Sequence, residues 1–264
     1  MQVLIFDMDD TLVIEETSVN EAFIETCQQV EKIHGIQAAD LHIAVRQEAR
    51  KIWHQAPVRQ YCLDVGISSW EGLSGHFEGD STELRILREW SFGYRLKSWN
   101  NALMKFGIND TDLALRLSAS YIKNRSQRHL LFNDTKSCLD ELSRFYNLAL
   151  LTNGAADIQR EKLDCTGISS YFTDIIISGE VGYGKPDIRI FQLMVSRLNT
   201  LPEQTWMIGN SLNSDISGAK AAGMKTAWVN REGKARDDKP IPDLEVRDLK
   251  QLTDFMRDLL PLNQ

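Results

Sequence analysis

Short apolar runs recur along this chain, and each stops at polar residues. Val3-Leu4-Ile5-Phe6 ends at Asp7, Leu148-Ala149-Leu150-Leu151 at Thr152, Ile175-Ile176-Ile177 at Ser178, and Trp206-Met207-Ile208 at Gly209-Asn210. Lys225 to Val229 is a fifth run, and Leu244-Glu245-Val246 suggests a sixth. Runs this short and apolar read as strands buried on both faces. Between the later runs lie stretches with apolar residues at helical spacing, such as Ile190, Phe191, Met194 and Leu198. Strands alternating with helices in this way predict an α/β fold, a doubly wound, Rossmann-like parallel sheet with helices on both faces.

The first strand is separated from the others by more than a hundred residues. From Thr17 to about Asn124 only helices and turns are expected. Val19, Ala22, Phe23, Thr26 and Val30 repeat at helical spacing, as do Leu41, Val45, Ala49 and Ile52, and later Leu113, Leu117 and Tyr121. The stretch from Gln60 to Gly79 is broken by Gly66, Gly72, Gly75 and Gly79 and gives no clear element. A single strand buries nothing alone, so Val3 to Phe6 must join the later sheet. The expected organisation is an α/β core of residues 1–14 and 126–264, with residues 15–125 inserted as an all-helical cap domain.

Composition narrows the function classes. Thirty basic and 37 acidic residues give a formal net charge of -7. That balance argues against non-specific binding to nucleic acid or to an anionic membrane surface. No stretch approaches the ~18 continuous apolar residues of a membrane span. The N-terminus has no secretory-signal pattern, and Cys27, Cys62, Cys138 and Cys165 form no Cys-x-x-Cys pair. A cytoplasmic protein with reduced thiols is expected, as a monomer or homodimer.

Parallel sheets place their ligands at the carboxyl ends of the strands. Four polar signatures fall there or just beyond: Asp7-x-Asp9, Thr152-Asn153-Gly154, Gly184-Lys185-Pro186-Asp187, and Gly209-Asn210-Ser211 through Asp215. Residues two apart in extended chain point the same way, so Asp7 and Asp9 can share one small volume. Two carboxylates so close repel, and both stay ionised only beside a cation. The four ends together supply paired carboxylates, a hydroxyl, an ammonium and further oxygen ligands.

In order, spacing and strand context these motifs resemble those of the haloacid dehalogenase superfamily, in its phosphatase branch with a helical (C1-type, subfamily I) cap inserted after the first motif. The matching stretches are Phe6-Asp7-Met8-Asp9-Asp10-Thr11-Leu12, Leu151-Thr152-Asn153-Gly154, Gly182-Tyr183-Gly184-Lys185-Pro186-Asp187 and Ile208 through Ala219. The resemblance implies a Mg²⁺-dependent phosphatase acting on a small phosphorylated metabolite. It implies Asp7 as nucleophile, forming an aspartyl-phosphate, and Asp9 as general acid and base. Thr152 and the backbone amide of Asn153 would bind the phosphoryl group, and Lys185 would neutralise charge. Asp7, Asp9, Asn210 and Asp215 would form the metal site.

The family's fourth motif most often begins Gly-Asp, and here it is Gly209-Asn210. An amide oxygen still binds Mg²⁺ but brings no charge, so weaker metal binding or a larger part for Asp215 is expected. Three alternatives remain open at this point. They are a phosphomutase, which uses the same core residues, a catalytically weak binding or regulatory protein, and a metal-free 2-haloacid dehalogenase. Asp9 argues against the last, since a protonatable group there serves an alkoxide leaving group. In the cap, Trp53, Trp70, Trp90 and Trp99 are expected in the core, and most of its cations, Arg46 and Arg50 included, on solvated faces. Arg59, beside Tyr61 in the broken stretch, is the cap's candidate for reading the leaving group.

Overall fold

The computed structural model describes residues 2–236 and 240–260. Residues 1, 237–239 and 261–264, which fall within the expected core's bounds, lie outside the described residues. The chain forms two compact units. One comprises Met1–Ile14, Leu130–Asn153 and Leu163–Gln264, and the other Glu15–His129 and Gly154–Lys162.

The first unit is built on a six-stranded, wholly parallel sheet. Its strands are β1 (Val3–Phe6), β2 (Asn147–Thr152), β3 (Asp174–Ile177), β4 (Thr205–Gly209), β5 (Lys225–Val229) and β6 (Leu244–Val246), in spatial order β3-β2-β1-β4-β5-β6. β1 is flanked by β2 and β4, so the chain winds outward from it in both directions. Residues alternate between the faces of β1. Leu4 and Phe6 join a cluster with Leu148, Leu150, Ile208 and Leu252, while Val3 and Ile5 join one with Ala149, Leu151, Phe191 and Met207. Both faces are thereby covered, and strands without polar alternation become stable. Helices α7 (Thr135–Leu142) and α10 (Leu249–Asp258) pack over the first face, and α9 (Ile188–Arg197) over the second.

The second unit is helical. It contains α1 (Glu15–His34), α2 (Ala38–Trp53), α3 (Arg59–Val65), α4 (Ser69–Ser74), α5 (Thr82–Met104) and α6 (Thr111–Ser126). The division between the units falls inside α8 (Ala156–Thr166). The broken stretch resolves into α3 and α4. Gly66 closes α3 in the left-handed conformation (φ 76°), and a Ser68–Glu71 capping box opens α4. Trp53 and Trp99 are buried in this unit's core, whereas Trp70 and Trp90 are half-buried at its margin. Phe23 stacks on Tyr121 with ring centroids 4.3 Å apart. A buried ion cluster lies among these helices, with the Glu15 carboxylate held by the Arg125 guanidinium and, at 3.1 Å, by the Lys162 ammonium.

Candidate active site

The loop after β1 is shaped by its own backbone. The Met8 carbonyl accepts from the amides of Leu12 and Val13, and Asp10 adopts a left-handed φ of 55°. The Asp10 amide in turn donates to the Val13 carbonyl at 2.7 Å. Asp tolerates that conformation better than branched residues do, because its short polar side chain bonds locally. Asp7 is tied to the sheet through its amide, which donates to the Ile208 carbonyl at 2.8 Å. The β1–β4 register, Phe6 beside Ile208, brings the first motif alongside the fourth.

Lys185 organises the polar cluster. Its ammonium lies 2.6 Å from Asp7 Oδ1 and 2.8 Å from Asp215 Oδ1, and donates to the Leu151 carbonyl at 2.7 Å. All three donors are thereby used, as burial of an ammonium requires. Asp7, Lys185 and Asp215 are all buried. Burial lowers the Lys185 pKa, but Asp215 and Asp7 outweigh it, so the group stays protonated with its pKa above the usual value. Asp7 shares that ammonium with Asp215. Burial pushes it up to about 7 against the pull of Lys185, and the Asp215 and Asp9 carboxylates add to the rise. Its second oxygen, Oδ2, accepts from the Thr11 hydroxyl at 3.0 Å.

Two clamps position these groups. The Asn153 side chain donates through Nδ2 to the Lys185 carbonyl and accepts through Oδ1 from the Lys185 amide, both at 2.8 Å. Gly184 makes room for it, since a Cβ there would sit 2.7 Å from Asn153 Oδ1. Asp215 lies in a wide helical turn, Leu212–Ile216, and its Oδ2 accepts from the Ser211 amide at 2.9 Å. Gly209 is required beside it, because a Cβ would collide with the Asp215 carboxylate.

The remaining candidates divide by unit. Thr152 is buried as the last residue of β2, and Asp9 is half-buried two residues beyond Asp7. Asn210 directly follows β4, and its carbonyl accepts from Trp228 Nε1 at 2.9 Å. The Asn210 side chain makes no hydrogen bond among the described residues. Arg59 opens α3 in the helical unit, and its guanidinium has no hydrogen bond or ion pair among the described residues. Reading the sequence alone missed Thr11, the Asn153 side chain and Arg231. Arg231 forms a bidentate pair with Asp134, at 3.0 and 2.9 Å, and donates to the Thr11 carbonyl at 3.1 Å.

This set of strand ends belongs to one class of enzyme. A family profile of haloacid dehalogenase-like hydrolases matches residues 1–223, and the chain belongs to that family. It is 32% identical to the phosphoserine phosphatase of Thermus thermophilus, over 96% of this chain and 98% of that protein. It is likewise 32% identical to the N-acylneuraminate-9-phosphatase of Mus musculus, over 98% of this chain and 95% of that one. Such relatives make it a hydrolase of the phosphatase type. Among solved structures, the putative hydrolase YfnB of Bacillus subtilis, bound to magnesium, matches with a TM-score of 0.64 at 23% identity, covering 97% of this chain and 98% of that one. The 2-haloacid dehalogenase of Pseudomonas syringae pv. Tomato matches with a TM-score of 0.61 at 22% identity, covering 98% and 100%. Both structures share the fold. No helix among the described residues is long and apolar enough to cross a membrane.

Proposed function

We infer that the protein is a Mg²⁺-dependent phosphatase that hydrolyses a small phosphate monoester through an aspartyl-phosphate on Asp7. The observation that carries this reading is the shared ammonium of Lys185, 2.6 Å from Asp7 and 2.8 Å from Asp215. A buried carboxylate held this way is fixed in direction and stays available as a nucleophile beside a cation that neutralises an incoming phosphate.

In the first step an Asp7 oxygen attacks phosphorus and the ester P–O bond breaks. Asp9 acts as general acid and gives a proton to the departing alkoxide. Thr152 and the Asn153 amide donate to the phosphoryl oxygens, and Lys185 offsets their charge. In the second step Asp9, now a carboxylate, takes a proton from water as that water attacks phosphorus. The bond between the Asp7 oxygen and phosphorus breaks, inorganic phosphate leaves, and Asp7 is regenerated with the proton from water held at Asp9. General acid and base assistance of this kind contributes ~10²–10⁴-fold.

The donor set suits Mg²⁺. Every ligand candidate is an oxygen, as this hard cation prefers. Asp7 and Asp215 share the single ammonium of Lys185, and the Asp215 and Asp9 charges add to the rise that burial gives Asp7. The Asn210 amide is uncommitted among the described residues. Asp7, Asp9 through its backbone carbonyl, and Asn210 would hold the ion, with Asp215 supplying charge behind them. When bound, the ion supplies charge stabilisation at the transferring phosphoryl oxygens.

The relatives also bear on the substrate. Phosphoserine and N-acylneuraminate 9-phosphate, whose phosphatases match over nearly the whole chain, both pair a phosphate ester with a carboxylate. The glyceraldehyde 3-phosphate phosphatase of Methanothermobacter thermautotrophicus, whose named substrate has no carboxylate, matches only 38% of this chain. A phosphorylated small acid is therefore the substrate class we favour. The test is phosphate release from p-nitrophenyl phosphate and from such acids, with and without Mg²⁺. Turnover that needs Mg²⁺ and disappears in Asp7→Asn supports the reading, and halide release from 2-chloropropionate without metal contradicts it.

A further inference from the structure

Thr11 stands between two contacts that no other residue of the first loop combines. Its hydroxyl donates to Asp7 Oδ2 at 3.0 Å, and its carbonyl accepts from Arg231 Nη2 at 3.1 Å. The neighbouring carbonyls are held from the backbone. That of Leu12 accepts from the Phe132 amide at 3.1 Å and also from the Thr135 hydroxyl at 2.8 Å, and that of Val13 accepts from the Asp10 amide. Arg231 is the one donor to the Thr11 carbonyl among the described residues. Thr11 is fully buried, so its carbonyl has no water to turn to when that donor is removed.

The guanidinium is itself fixed before it reaches the loop. Arg231 lies two residues beyond the end of β5. Both of its terminal nitrogens pair with the Asp134 carboxylate, and its plane lies over the Phe132 ring, 3.8 Å from the centroid. Asp134 is anchored in turn, since its Oδ2 accepts from the Leu249 amide at 2.8 Å, at the start of α10. Asn230 holds the base of the side chain, with its amide donating to the Val246 carbonyl and its Oδ1 accepting from the Lys234 amide, both at 2.8 Å. A planar cation that is stacked and paired in this way has a set direction, which a flexible ammonium does not reproduce.

The chain of contacts ends on Asp7. Its Oδ1 is directed by the Lys185 ammonium at 2.6 Å and its Oδ2 by the Thr11 hydroxyl. The angle of the carboxylate therefore depends on where the Thr11 backbone stands. Misplacing a reacting group by about 1 Å costs ~10²-fold in rate.

We propose that Arg231 is a positioning residue for the reaction at Asp7, holding the Thr11 carbonyl so that the Thr11 hydroxyl directs the Asp7 carboxylate. It acts through Thr11 alone. The proposal rests on the phosphatase reading above in taking Asp7 as the reacting group.

Turnover of p-nitrophenyl phosphate at saturating Mg²⁺ is measured for the wild type, Arg231→Met, Arg231→Lys, Thr11→Val and the double variant of Thr11→Val with Arg231→Met, with folding checked by thermal unfolding. In Arg231→Met kcat is expected to fall by at least about tenfold while KM stays within about twofold, with partial recovery in Arg231→Lys. The double variant should match Thr11→Val within about twofold, because Arg231 has nothing to act on once the hydroxyl is gone. An unchanged kcat in Arg231→Met, or effects of the two substitutions that multiply, overturns the proposal. Should Arg231→Met fail to fold, Arg231→Lys takes its place in the cycle. Thr135→Val removes a buried bond to the next carbonyl of the same loop, so it should lower the melting temperature with kcat within about twofold, and a fall in kcat equal to that of Arg231→Met would also overturn the proposal. Crystal structures of the wild type and the Arg231 variant read the same relationship without turnover. The Thr11 hydroxyl should leave Asp7 Oδ2 in the variant, and a contact kept at its wild-type length contradicts the assignment. If the wild type hydrolyses no ester with Mg²⁺, the phosphatase reading fails and these structures alone decide the role of Arg231.

Discussion

The Asn153 side chain grips the backbone of Lys185 on both sides of its Cα, accepting from its amide and donating to its carbonyl, each at 2.8 Å. This reciprocal pair joins the end of β2 to the loop that carries the lysine. The lysine side chain then returns across β2 to the Leu151 carbonyl. Asn153→Ala leaves two backbone groups of Lys185 without these partners and is expected to cost about 1–3 kcal/mol of stability. Because the lysine then loses its fixed direction, kcat should fall as well. Gly184→Ala, which drives a Cβ against Asn153 Oδ1, should reproduce both effects. Urea unfolding and steady-state kinetics on the two variants check this.

Removing the ammonium should be worse than removing its guide. Lys185→Met strands Asp7 and Asp215 in a buried site with no cation between them. The expected loss of stability is about 3–5 kcal/mol, with activity abolished. Adding Asp215→Asn to that variant should recover part of the stability and none of the activity. A full recovery of activity would contradict the charge-sharing role assigned to Lys185.

The ion cluster of the helical unit gives a pH prediction with a definite sign. Burial alone raises the Glu15 pKa, but the Lys162 and Arg125 charges outweigh it and hold the carboxyl below its ordinary 4.5. A depressed folded-state pKa adds stability that is fully present above 4.5 and is lost as pH falls through the lower folded value. Glu15→Gln should therefore destabilise the protein at pH 7, by about 3 kcal/mol. The gap between variant and wild type should close progressively below pH 4.5. Thermal unfolding of both proteins across that range measures it.

Asn210 is where the chain departs from the pattern of its family. Its side-chain amide brings an oxygen but no charge to the cluster. Asn210→Asp adds a carboxylate, and affinity for hard divalent cations rises with ligand charge. The Mg²⁺ concentration for half-maximal turnover is expected to fall by about tenfold in this variant. An unchanged or higher requirement would remove Asn210 from the proposed metal site.

How far the sequence alone reached can be seen at particular residues. The core strands were legible because each is apolar on both faces and ends abruptly in polar residues. Asp7, Lys185 and Asp215 were legible because they stand at or just beyond those ends, and they do meet around one ammonium. The stretch from Gln60 to Gly79 was not legible. Helices of seven and six residues, α3 and α4, are too short to show a period, although the Ser68–Glu71 capping box was present in the letters. Thr11, the side-chain role of Asn153, and Arg231 escaped for a different reason. What each does depends on a partner that the fold supplies, such as the Thr11 carbonyl for Arg231, 220 positions away.

The central claim is that Asp7 carries the phosphoryl group. The most direct measurement is acid quenching of the enzyme during turnover of p-nitrophenyl [³²P]phosphate with Mg²⁺, followed by peptide mapping. The expected result is label on the peptide containing Asp7, stable to acid, released by hydroxylamine as an acyl phosphate must be, and absent in Asp7→Asn. Phosphate release without labelled protein at any quench time, or label that persists in Asp7→Asn, would contradict the account.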